Sequence, residues 1–98
     1  MPEGVLLAFH LPEGSPPAKH RSFRRQVYGE ETSSWGGKYR YHRKGILDEI
    51  PHVRLYWGIL IVREADGKRL ARRLRDQGAV VVTRRVLLTR GDETGLRA

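Results

Sequence analysis

Ninety-eight residues suit one small domain, and the absence of cysteine excludes disulfides and thiolate metal sites. Nineteen Lys and Arg against eleven Asp and Glu leave a formal charge of +8 and a pI near 10.6, the electrostatic footprint of a nucleic-acid binder. Fifteen of the nineteen cations are arginine, whose planar fork matches phosphate oxygens. A GC-rich genome or a thermophilic host would enrich arginine as well. The opening MPEGVLLAFHLPEG carries an acid before a short apolar run and no basic lead. It fits neither a signal peptide nor a membrane span, and the expected location is the cytoplasm.

Val5–Leu11 is apolar at nearly every position and predicts a strand buried on both faces. Pro12-Glu13-Gly14 ends it. Ser15, ahead of Pro16 and Pro17, predicts a capped helix over Pro17–Tyr28 that stops at Gly29, with Phe23 and Val27 one turn apart. Glu30–Gly37 reads as a loop carrying Trp35. Lys38–Lys44 then alternates basic and aromatic residues, placing Tyr39, Tyr41 and Arg43 opposite Lys38, Arg40, His42 and Lys44 on a charged edge strand. Leu47–His52 reads as a loop around Pro51. Leu55–Val62 is a second continuously apolar run and predicts a central strand.

Arg63–Gln77 predicts a second helix, with Gly67, Leu70, Ala71 and Leu74 on one face, Asp66 or Glu64 as its cap and Gly78 as its stop. Ala79–Thr89 is the last strand, and the polar tail from Arg90 is expected to fray. The order βαββαβ predicts an α+β, ferredoxin-like sandwich: a four-stranded antiparallel sheet with two helices on one face. One domain spans 1–98, with its core over about 5–89. The two continuously apolar runs are the first and third strands, the central pair in that arrangement, and pattern and topology agree.

On this layout the chain is similar to the small CRISPR-associated adaptation proteins of ferredoxin-like fold and to the related domain of phenylacetate-operon-type repressors. The residues that carry the resemblance are VLLAFHLPEG as strand and helix lead-in, GILIV as central strand, and GKRLARRLRDQGAVVV as helix into last strand. The resemblance implies the fold and a symmetric dimer. Some members of the CRISPR family cleave nucleic acid with an aspartate ending the first strand. Here Phe9-His10 hold that position and the nearest acid is Glu13, so the resemblance does not carry the metal-dependent cleavage over. An altered nuclease site using His10 or Glu13 is the alternative, and a purely structural or regulatory dimerisation module is a third class.

No local motif announces catalysis. The four histidines lack ligand spacing, no glycine loop cradles a phosphate, and Asp48 and Glu49 diverge as neighbours, so neither metal nor cofactor is expected. What remains is positive charge on two stripes. Lys38, Arg40, His42 and Lys44 form one, and Lys68, Arg69, Arg72, Arg73 and Arg75 the other. The charged edge equally suits protection against unwanted strand pairing. Tyr39 and Tyr41 fit base stacking or the core, and sheet aromatics favour the core. Because apolar residues occupy both faces of three strands, two helices leave one face bare. A homodimer that packs sheet against sheet is expected, with Tyr56, Leu60 and Val62 as interface residues. The expected function is electrostatic binding of the RNA or DNA backbone by that dimer, with no membrane partner.

Overall fold

The computed structural model describes residues 2–34, 36–37 and 39–97, the side chains of Ser33, Ser34 and Tyr39 excepted. In chain order the elements are β1 (Glu3–His10), α1 (Pro17–Tyr28), β2 (Glu30–Ser34), β3 (Tyr39–Arg43), a 3₁₀ helix (Ile46–Glu49), β4 (His52–Tyr56), β5 (Ile59–Arg63), a 3₁₀ turn (Glu64–Asp66), α2 (Gly67–Asp76), β6 (Val80–Leu87) and α3 (Arg90–Gly95). One sheet has four antiparallel strands in the order β4-β5-β1-β6, and β2 pairs with β3 in a separate two-stranded sheet.

The strands expected from sequence are only partly those observed. The Leu55–Val62 run is not one strand but most of a hairpin. Trp57 and Gly58 turn the chain, and Gly58 adopts a φ of +80°, which a side-chain-bearing residue rarely takes. Gly58 O also accepts from Phe9 N–H at 2.8 Å, and a Cβ on Gly58 would stand 2.6 Å from Phe9 O. The edge of the main sheet is therefore His52–Tyr56, not Lys38–Lys44. The basic segment pairs instead with Glu30–Ser34, which the sequence read as a loop. Glu30 lies opposite Arg43 and Glu31 opposite His42, so the register places opposite charges across the pair, and Glu31 bonds His42 at 2.7 Å.

On the four-stranded sheet, Val5, Leu7 and Phe9 point toward α1 and α2 with Leu60, Val62 and Val81. These residues form the core with Val27, Leu70 and Leu74. The short helix supplies Ile46, Leu47 and Ile50 from its flank. A Cβ on Gly67 would meet Val5 at 2.9 Å, so glycine lets α2 settle close on β1. The expected helix caps hold only in part. Pro16 occupies the α1 cap while Ser15 Oγ donates to Pro12 O at 2.6 Å, and Asp66 caps α2 without a side-chain hydrogen bond.

The tail does not fray. Thr89 and Asp92 form a reciprocal capping box that starts α3, with Asp92 N–H donating to Thr89 Oγ1 at 3.1 Å and Thr89 N–H to Asp92 Oδ2 at 3.0 Å. Gly95 meets Val53 and Leu88 meets Gly4, both on the sheet face opposite α1 and α2. Leu96 is buried there. The helices thus do not all lie on one face.

The expected dimer residues divide accordingly. Leu60 and Val62 are fully buried beneath the helices, because the Trp57–Gly58 turn resets the strand alternation, and neither can meet a partner. Tyr56 is 69% exposed. Among the described residues no helix is long and apolar enough to cross a membrane.

Candidate nucleic-acid interface

The burial of one α2 stripe decides where its cations go. Gly67, Leu70, Ala71 and Leu74 face the sheet, so the residues between them diverge to two sides. Lys68, Arg72 and Arg75 line a groove between α2 and β6, while Arg73 turns toward the 3₁₀ helix Ile46–Glu49. The groove has a volume of about 610 Å³. Arg85 from β6 completes its basic lining, Arg84 borders it from the strand edge with its register partner Leu6 on the opposite face, and Glu64 and Asp76 are its acids among the described residues. Val5, Gly67 and Ala71 floor it with apolar surface.

Two contacts fix the groove's arginines. Arg75 Nη2 donates to Val81 O at 3.2 Å, and Arg85 Nη2 to Glu64 Oε1 at 2.9 Å. Lys68 and Arg72 have no carboxylate partner among the described residues. Arg84 Nη1 donates to the Thr83 carbonyl at 2.7 Å, which leaves its charge uncompensated.

Arg69 and Arg73, also expected to bind phosphate, have partners within the protein. Asp66 is buried and accepts from Arg63 Nε at 2.8 Å and Arg69 Nη2 at 3.1 Å. This pairing ties the end of β5 to the first turn of α2. Arg73 Nη1 donates to Glu49 Oε2 at 2.8 Å. That hydrogen bond, with the charges of Arg73, Lys44 and Arg69, holds the Glu49 carboxyl below its ordinary value. The two basic stripes of the sequence therefore meet at Glu49.

On β3 and just after it, Arg40 and Lys44 are exposed, as expected, and Lys38 lies outside the described residues. His42 is not a free cation. Its Nδ1 bonds Glu31 Oε1 at 2.7 Å and its Nε2 bonds Asp48 Oδ2 at 2.9 Å. The hydrogen bond to Asp48, then that to Glu31, raise the His42 pKa above its ordinary value. The imidazole acts as a clasp between the β2–β3 hairpin and the 3₁₀ helix. Burial works against ionisation of Asp48, but the Gly45 N–H at 2.7 Å and His42 outweigh it and hold its carboxyl below the ordinary value. Tyr41 is 55% exposed rather than in the core, because its strand belongs to the small sheet.

Sequence reasoning missed the contribution of Arg84 and Arg85, which were read only as part of the last strand, Ala79–Thr89. An arginine pair on an edge strand that follows a basic helix was the available signal. No family model matches the chain, and no curated protein or solved structure was found to match it.

Proposed function

We propose that this chain is a nucleic-acid-binding domain of ferredoxin-like topology that holds the RNA or DNA backbone in the α2–β6 groove. The observation that carries the reading is the gathering of Lys68, Arg72, Arg75 and Arg85 along one concave surface against two acids, with Arg84 at the strand edge. Neutralising phosphates releases their counterions, a sequence-independent driving force that falls with salt. The topology is supported by the strand order β4-β5-β1-β6, with β1–α1–β4 and β5–α2–β6 as its two crossover units and the β2–β3 hairpin as an insertion. Arg40 and Lys44 would extend the basic surface from that hairpin.

The bare part of the sheet supports a two-fold dimer. Register places Tyr56, Ile59, Ala8 and Val82 in one row across all four strands, on the face that α3 covers elsewhere. Tyr56 and Val82 are exposed. The interface would centre on this row and on Val80, in place of Leu60 and Val62. A cytoplasmic location belongs to the same proposal.

Anisotropy titrations of labelled single- and double-stranded RNA and DNA at two salt concentrations test the binding. At least one of the four is expected to bind at the lower salt and to weaken at the higher. Absence of binding to all four at the lower salt would remove the proposal.

A further inference from the structure

At the β4–β5 turn, Trp57 is 53% exposed although it lies beside the core. Its ring is held edge-on by Tyr28, with centroids 4.8 Å apart and planes at 78°. Two guanidiniums approach the same ring, Arg54 at 4.6 Å and Arg24 at 5.3 Å from the centroid. Arg54 also lies 5.8 Å from the Tyr28 ring. Among the described residues neither arginine has a carboxylate partner. Two like charges on one exposed indole repel each other and lack a counter-ion. An anion bound beside them would supply it.

Beside Trp57 opens a crevice of about 230 Å³, walled by Phe9, Phe23 and Tyr28, with His10, His20 and Arg24 at its polar positions. Among the described residues no carboxylate lines it. His10 Nδ1 donates to Leu11 O at 2.8 Å, which leaves Nε2 without a protein partner among the described residues. The volume lies below the ~300–1,000 Å³ of sites that enclose a drug-sized ligand, so it suits one ring system with the rest of the molecule outside. Aromatic faces accept any nucleobase, and arginine forks accept the phosphate that follows it.

We propose that this crevice binds a single unpaired nucleotide. The base enters against Trp57, Phe23 and Tyr28, and its phosphate lies at the Arg24 guanidinium, with Arg54 on the same indole adding its charge. The site is separate from the α2–β6 groove and stands whether or not the groove holds a phosphate backbone. The nucleotide comes either from the free pool or from an unpaired position in a strand, and the two sources share this chemistry.

The fluorescence of Trp57 in a Trp35→Phe background tests it, titrated with adenosine monophosphate, adenosine, inorganic phosphate and a short oligoadenylate. The monophosphate is expected to quench saturably. Adenosine, lacking the charged acceptor, should bind about tenfold or more weakly. Arg24→Ala with Arg54→Ala should lower the affinity for the monophosphate to that for adenosine, whereas Lys68→Ala with Arg72→Ala should leave it unchanged. Tighter binding of the oligoadenylate than of the monophosphate would identify a strand as the source, and equal or weaker binding a free nucleotide; both support the site. No saturable response, equal affinity for adenosine and monophosphate, or an arginine double variant that binds as well as wild type would overturn it. Should Trp35→Phe fail to fold, the indole N–H resonance of Trp57 in the wild-type protein reads the same titration.

Discussion

His42 shows how one residue can change role between sequence and structure. As part of a basic strand it reads as a phosphate contact, yet in the fold its two nitrogens bond Glu31 and Asp48. Glu31 precedes His42 by eleven residues and Asp48 follows by six, and no helical or strand spacing pairs them with it. The consequence is a pH dependence with a definite sign. A folded-state pKa raised above 6.5 means that the clasp contributes fully below the unfolded value and is lost as pH rises through the folded value. Asp48 works in the other direction: its depressed pKa gives a contribution present above its ordinary value and lost as pH falls through the folded one. The clasp is expected to be strongest between the two ordinary values, 3.8 for Asp48 and 6.5 for His42. An NMR titration should give His42 a pKa above 6.5, and His42→Ala should remove the alkaline loss of stability. A His42 pKa at or below 6.5 would contradict the clasp.

At the scale of elements, β1, α1, the body of α2 and β6 were legible because periodicity and punctuation agreed in each. Gly29 and Gly78 end the helices at the expected positions, both with positive φ. The hairpins were not legible, for two separate reasons. Glu30–Ser34 has few β-formers, and its pairing with β3 brings Glu31 onto His42 and sets Glu30 opposite Arg43. Leu55–Val62 looked continuous because Trp57 is as apolar as its neighbours, and only Gly58 marked the turn. The alternation of His52 and Arg54 with Val53 and Leu55 was an edge-strand signal, and Thr89-x-x-Asp92 was a capping box in plain view. The α2 half of the basic site was visible, whereas its convergence with Arg84 and Arg85 required the fold. Gly58→Ala should destabilise the protein by about 1–3 kcal/mol from backbone strain, with the close Phe9 carbonyl adding to it. Urea denaturation measures this, and an unchanged midpoint would mean that the turn tolerates a side chain.

For the whole molecule, the two sheet faces carry different expectations. α1 and α2 seal one, while α3, Leu88 and Leu96 cover only part of the other. Tyr56→Asp or Val82→Asp should therefore convert a dimer to a folded monomer, read by sedimentation with circular dichroism. Leu60→Asp should unfold the chain instead, since it buries an unpaired charge at a fully enclosed position. A wild-type monomer at micromolar concentration would contradict the dimer. The central claim, phosphate binding in the α2–β6 groove, is tested most directly by the salt dependence of duplex DNA binding in Lys68→Ala with Arg72→Ala. Losing two phosphate contacts should reduce the magnitude of the slope of log K against log salt by about 1.8 relative to wild type, with weaker binding at low salt. A double variant with the wild-type slope and affinity would show that the groove does not hold the backbone.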